Sequence, residues 1–264
     1  MKLTSDNYYF QESNQQFMSV SQFKSFQECE AAALAELKGE YQRPYSTALT
    51  VGSYIHSAFD SEEEFEKFCE RERDVIFKKR GNGKYAEFEQ ADTMIQTLKD
   101  DPMCMYALTG EKEVILTGEI GSIQWKVKVD NLNVEKGFFS DLKTARGLYE
   151  RHWSTKYGER YVSFIHHYGY ILQMAVYQEI IRQNTGRVLE PYIVVVTKET
   201  PPDKEIITFD SEDLEFEMEY VKAALPSVLQ VKNGEREPVR CEKCAYCRST
   251  KKLNAVTNVN YLLG

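Results

Sequence analysis

The sequence has 264 residues, 42% of them apolar and 28% charged, and its 33 basic against 41 acidic side chains leave a formal charge of −8. That length supports one large domain or two small ones with a substantial core, and the composition is ordinary for a soluble globular protein. The acidic surplus excludes a general electrostatic coat for nucleic acid or anionic membrane, but not a local basic channel beside an acidic, metal-binding centre.

The chain opens on a polar stretch, MKLTSDNYYFQESNQQ, without the apolar core of a signal peptide. It contains no run of about 18 apolar residues that could span a membrane, and a cytoplasmic protein is expected. SVSQFKSFQECEAAALAELKGE (19–40) reads as a helix entered through Ser21, with Phe26, Ala33 and Leu37 near one face. TALTVGSYIHSAF (47–59) predicts a second helix, with Gly52 and His56 one turn apart. Residues 60–100 are charged and read as helical around a basic glycine-rich turn, FKKRGNGKY (77–85), and Pro102 ends that section. The pattern then changes to alternation. EVILTGEIGSIQWKVKVD (113–130) predicts a hairpin turning at Gly121–Ser122, and GFFSDLKTA (137–145) a third strand. FIHHYGYILQMAVYQEIIRQ (164–183) reads as one long helix, PYIVVVTKE and KEIITFD as two more strands, and SEDLEFEMEYVKAAL (211–225) as a last helix before a cysteine-rich tail. This order predicts an α/β fold: a mixed central sheet flanked by helices in a single domain, 1–264. Within it, 1–110 is an N-terminal helical part, 111–210 a catalytic sheet and helix, and 211–264 a helix and tail.

Asp141-Leu142-Lys143 places an acid and a lysine on one face of a strand, because alternate side chains of a strand point the same way. Alone, that pair is more commonly a structural salt bridge. Asp130 ends the preceding strand, and a hairpin-like neighbour would bring its carboxylate beside Asp141 at the same sheet edge. Two acids and a lysine converging there suit phosphodiester hydrolysis. Hard divalent cations take carboxylate oxygens, the Leu142 carbonyl offers a further ligand, and an ammonium can orient water and offset charge on a pentavalent phosphate. In the following helix, Phe164, Tyr168, Leu172 and Val176 form a core stripe. His166, Tyr170, Gln173 and Tyr177 form a polar-aromatic stripe that packing does not require.

These residues resemble the PD-(D/E)XK nucleases, and more closely the RecB-type exonucleases. The likeness rests on Gly52-x-x-x-His56, on Asp130 followed eleven positions later by Asp141-Leu142-Lys143-Thr144, and on Gln173-x-x-x-Tyr177, in the family's order. Glu113 stands where relatives often place an acid. Lys126 and Lys128 before the first aspartate, and SVSQFKSFQEC, are similar to the RecE-like branch, the phage exonuclease VIII type. Val127 replaces the glycine of many RecB-type members and so favours that branch over the wider group. The resemblance implies a Mg²⁺- or Mn²⁺-dependent DNA exonuclease acting on double-stranded ends, with His56, Asp130, Asp141, Lys143, Gln173 and Tyr177 catalytic. His56, Glu113, Asp130, Asp141 and Leu142 would hold metal. It further implies 5′-to-3′ resection, a ring-like homo-oligomer, and a single-strand-annealing partner of phage or prophage origin. Lys78, Lys79, Arg80 and Lys84 are the candidate DNA contacts, with a solvated turn as the plain reading. An endonuclease on the same core, or a catalytically idle, metal-stapled DNA-binding protein, are the alternatives.

RCEKCAYCRSTKK (240–252) spaces Cys241, Cys244 and Cys247 two residues apart, a pattern that points to metal in a reduced compartment. Cys29 is the candidate fourth ligand, whereas Cys69 and Cys104 read as buried apolar residues. Related RecB-type nucleases join one N-terminal cysteine to a C-terminal trio around a [4Fe–4S] cluster, although the trio here is more closely spaced. Iron–sulfur, zinc and an unmetallated thiol cluster all remain open.

Overall fold

The computed structural model describes residues 1–81, 83–253 and 255–261. Among these residues seven strands run in chain order: β1 (Glu111–Ile120), β2 (Ile123–Asn133), β3 (Phe138–Ala145), β4 (Arg151–Ser154), β5 (Arg160–Ser163), β6 (Glu190–Thr197) and β7 (Lys204–Ile207). Five of them form one sheet in the order β1-β2-β3-β6-β7. β3 pairs in parallel with β6, and the other neighbours are antiparallel. The expected mixed sheet is therefore present. β4 and β5 pair separately as a small hairpin, which the sequence reading did not anticipate.

The helices are α1 (Gln11–Gln16), α2 (Val20–Glu28), α3 (Glu30–Leu37), α4 (Thr47–Asp60), α5 (Glu62–Arg71), α6 (Arg73–Ile76), α7 (Ala86–Lys99), α8 (Pro102–Ala107), α9 (Phe164–His167), α10 (Tyr170–Thr185), α11 (Ser211–Lys232) and α12 (Ala245–Ser249), followed by a 3₁₀ turn, Val259–Tyr261. They cover both faces of the sheet. Val51, Tyr54 and Ile55 of α4 pack with Phe88 and Met94 of α7 onto Leu142, Val194 and Val196. On the opposite face Met174 and Val176 of α10 and Val221 and Leu225 of α11 meet Val127, Phe139, Ile193 and Val195. Alternate residues of β6 thus feed two different cores, as a strand buried on both faces requires.

The β1–β2 hairpin turns at Gly121 and Ser122, both at φ 62, the conformation that a two-residue hairpin of this hand demands. Leu225 closes over Gly121 so tightly that a Cβ there would lie 2.6 Å from its Cδ2.

Three helical expectations need correction. The 19–40 helix is two helices, because Cys29 is extended (φ −163, ψ 104), and the first is capped by Ser19, whose hydroxyl accepts from Gln22 N. The 164–183 helix is broken at Gly169, which adopts φ 63 between α9 and α10. Tyr168, placed in the core stripe, is consequently 47% exposed. Pro102 does not merely end a section. It opens α8 at the first helical position, with Asp101 Oδ1 accepting from Met103 N and Cys104 N.

Candidate active site

A cleft of about 620 Å³ opens where α4, α5 and α10 meet the centre of the sheet. Its lining includes Gly52 and His56 from α4, Glu113, Lys128 and Asp130 from the hairpin, Asp141, Leu142 and Lys143 from β3, and Gln173 and Tyr177 from α10. Residues distant in sequence thus share one space.

The strand pairing explains why the acids meet there. The β2–β3 ladder runs from Asn133↔Phe138 to Asn131↔Ser140. The next rung would set Asp130 opposite Asp141, and there the strands part. The β1–β2 pairing lapses at the same level, between Lys112↔Asn131 and Val114↔Val129, with Glu113 held at φ 54. A non-glycine residue in the left-handed region is the kind of local strain found at functional sites. The acids therefore lie at a fork inside the sheet, not at its edge as expected from the sequence.

Each acid is held by a different helical layer. His56 Nδ1 lies 3.2 Å from Asp130 Oδ2, and the same oxygen accepts from Leu142 N at 3.0 Å, a side-chain substitute for the missing ladder bond. Gln173 Nε2 donates to Asp141 Oδ1 at 2.5 Å. Lys143 forms an ion pair against Asp141 Oδ2, and its ammonium sits 5.1 Å from the Tyr170 ring centroid. Glu113 forms an ion pair with Lys128, which stacks on the exposed Tyr9 ring.

Electrostatics separates the two aspartates. Burial and the neighbouring Asp130 charge push the Asp141 carboxyl above its ordinary range. Burial acts the same way on Asp130, but His56 and Lys143, with the Leu142 N–H, hold it below. Burial disfavours charge on His56 and Lys143 as well. The charge of Asp130 outweighs this at His56, and those of Asp141 and Asp130 outweigh it at Lys143, so both end above their usual values. Repulsion between two buried carboxylates is what a divalent cation with oxygen preference relieves. Asp130, Asp141, Glu113 and the Leu142 carbonyl, all at the cleft, are oxygen donors of the kind such an ion takes.

Several predicted residues fall elsewhere. Lys78, Lys79, Arg80 and Lys84 do not line the cleft. Phe77 and Lys84 bridge to form their turn, and Lys84 is taken up internally, donating to Asp92 Oδ2 at 2.6 Å and to the Tyr54 hydroxyl at 2.7 Å. Lys78 lies 3.6 Å from Glu89. His166 leaves the polar stripe to meet Ser163 and the Tyr157 ring, and Lys126 is buried beneath the N-terminal segment, donating to Ser13 and Asn14. Sequence reasoning did not place Tyr8, Tyr9, Asp60, Glu64 and Arg71 at the cleft. Tyr8 and Tyr9 precede every motif, and α5 carries no pattern beyond its charge.

Away from the cleft, Cys29, Cys241, Cys244 and Cys247 come together, their sulfurs all within 4.8 Å of one another. Cys104 is buried as expected, and Cys69 is half-buried. Among the described residues no helix is long and apolar enough to cross a membrane.

A family model described as a PDDEXK-like domain of unknown function (DUF3799) matches residues 19–250. A crystal structure of a candidate exonuclease from Eubacterium rectale is 38% identical, with 99% of this chain and 98% of that one aligned at a TM-score of 0.92. No curated protein matches the sequence.

Proposed function

Because the chain belongs to the PDDEXK-like domain family DUF3799 and has the fold of a PD-(D/E)XK nuclease, we propose that it is a divalent-metal-dependent exonuclease that degrades double-stranded DNA from its ends. The observation that carries this reading is the fork at Asp130 and Asp141, with the Lys143 ammonium paired to the Asp141 carboxylate there. Asp130, Asp141 and the Leu142 carbonyl, with Glu113 and His56 at hand, would hold Mg²⁺ or Mn²⁺, which would supply Lewis-acid stabilisation of the phosphate and acidify water. Within the protein, Lys143 orients the attacking water and offsets charge growing on the phosphate. Gln173 fixes the rotamer of Asp141, His56 fixes that of Asp130, and Tyr177 supports the scissile strand from the cleft wall. The description of the Eubacterium rectale relative favours action at ends. The RecE-like resemblance adds 5′-to-3′ polarity, a ring-like oligomer and a phage single-strand-annealing partner.

Duplexes labelled and blocked at one end or the other test both parts. Mg²⁺ should support stepwise release of nucleotides from an unblocked 5′ end, and Ca²⁺ little release because its looser coordination positions water poorly. Release only from the 3′ end would reverse the polarity. Cleavage unaffected by a chelator would remove the metal from the chemistry.

A further inference from the structure

Four cysteines from opposite ends of the chain meet outside the cleft. Cys29 lies in the extended break between α2 and α3, and the segment bearing Cys241, Cys244 and Cys247 packs against it with Ala31, Ala32 and Tyr246 around the sulfurs. The Sγ atoms of Cys29 and Cys247 are 3.6 Å apart and those of Cys241 and Cys247 are 4.0 Å apart. All four fall within 4.8 Å of one another. A disulfide would require about 2.05 Å, and all four thiols are free.

These separations distinguish the two kinds of thiolate-bound metal. Around one tetrahedral zinc ion with bonds of about 2.3 Å, neighbouring sulfurs stand about 3.8 Å apart. A four-iron cubane carries one cysteine on each iron. Its irons stand off the centre, so the cysteine sulfurs are pushed out to about 4 Å from it and lie roughly 6 Å or more from one another. The separations here match those around one ion and are shorter than those around a cubane. The cysteines are spaced along the chain like a ferredoxin run, yet the [4Fe–4S] group implied by the family resemblance does not fit them.

The surroundings agree with a closed tetrathiolate site. Cys244 N points at Cys241 Sγ at 3.3 Å and Cys247 N at Cys244 Sγ at 3.4 Å, spreading the negative charge that four thiolates leave on one divalent ion. Arg240 donates to the Cys247 carbonyl at 2.8 Å, bringing a guanidinium to the same turn. We propose that Cys29, Cys241, Cys244 and Cys247 bind a single tetrahedral zinc ion, in place of an iron–sulfur cluster, and that this ion locks the C-terminal segment onto α2 and α3.

The apolar contact across that seam is made by Ala31, Ala32 and Tyr246, whose ring lies 5.2 Å from that of Tyr41. Its other ties are polar: Arg236 forks onto Glu30 at 3.0 and 2.5 Å, and Val239 N donates to Glu30 Oε2 at 2.8 Å. None of the four cysteines lines the cleft, so the ion is structural. One route from it to the cleft runs through α2, where Lys24 donates to the Tyr168 carbonyl at 2.9 Å, beside Tyr170.

The test is metal and acid-labile sulfide analysis of the full chain, purified without oxygen from cells supplied with both iron and zinc. One zinc per chain, no labile sulfide and no visible absorption are expected. Exchange with Co²⁺ should then give the intense bands of a tetrahedral thiolate site. Four irons with four sulfides and a broad brown absorption would overturn the proposal, as would a single iron or no metal. Cys29→Ser should lower both zinc content and melting temperature, whereas Cys69→Ser should leave zinc at one per chain. If Cys29→Ser fails to fold, the wild-type metal count and the Co²⁺ spectrum still decide the matter.

Discussion

A Cβ built on Gly52 meets no protein atom within 4 Å, although this glycine sits inside α4, where alanine is favoured by about 1 kcal/mol. Nothing in the protein needs the missing side chain, and the position opens into the cleft. The small residue therefore leaves room for substrate. Gly52→Ala is expected to melt no lower than the wild type while cleaving more slowly, and Gly52→Leu to cleave more slowly still. Wild-type turnover in both would place the substrate path elsewhere. Asp141→Asn exchanges a buried acid beside Asp130 for an amide of the same shape. The loss of the Lys143 ion pair is offset by the end of repulsion from Asp130. Stability of the metal-free protein should stay within about 1 kcal/mol of wild type, and cleavage should disappear. Near-normal turnover in this variant would remove Asp141 from the metal site.

At the scale of elements, the N-terminal segment that brings Tyr8 and Tyr9 to the cleft is held from beneath by a buried lysine, with Lys232 donating to its Asn14 carbonyl as well. Lys126 is 1% exposed, and its ammonium donates to the Tyr8 carbonyl, to Ser13 Oγ at 2.9 Å and to Asn14 Oδ1 at 2.7 Å. Lys126→Met would fill the same space and strand three acceptors, at a cost of about 2–4 kcal/mol. Hydrogen exchange should then rise first over residues 4–16, and exchange that rose uniformly would mean that the segment is not a separate unit. Elements with a strong period were readable in the sequence: the alternation of β2 and the buried run of β6 announce strands whatever surrounds them. The breaks were less readable. Cys29 and Gly169 interrupt apolar patterns that continue across them, and only the cysteine cluster and the αL turn reveal why. The β4–β5 hairpin has four-residue strands, too short for alternation to register, and its Trp153 and Tyr161 are exposed. The motif residues of the site were legible because their types and order match those of the family. The fork in the sheet was not, since it is a property of pairing between strands. The internal role of Lys84 was equally hidden, because its partners Asp92 and Tyr54 lie on other helices.

Across the whole molecule, a charge of −8 coexists with Arg71, Lys128 and Lys143 at the cleft. Local phosphate contacts release counterions whatever the net charge, so DNA affinity should fall steeply with salt. Arg71→Ala should flatten the slope of log affinity against log salt by about 1. Lys84→Ala should instead lower the melting temperature and leave that slope unchanged. The reverse pattern, measured by binding titrations at several salt concentrations, would return the DNA path to the basic turn. The fold as a whole joins a core under α4 and α7 to one under α10 and α11 through β3 and β6, and the acid–lysine set sits where the two helical layers both reach β3. The most direct measurement is a time course with Mg²⁺ on linear and covalently closed circular duplex DNA, run beside Asp141→Asn. Loss of the linear form alone, absent in the variant, is the expected result. Cleavage of the closed circle would make the protein an endonuclease, and an intact linear duplex would contradict a working nuclease site.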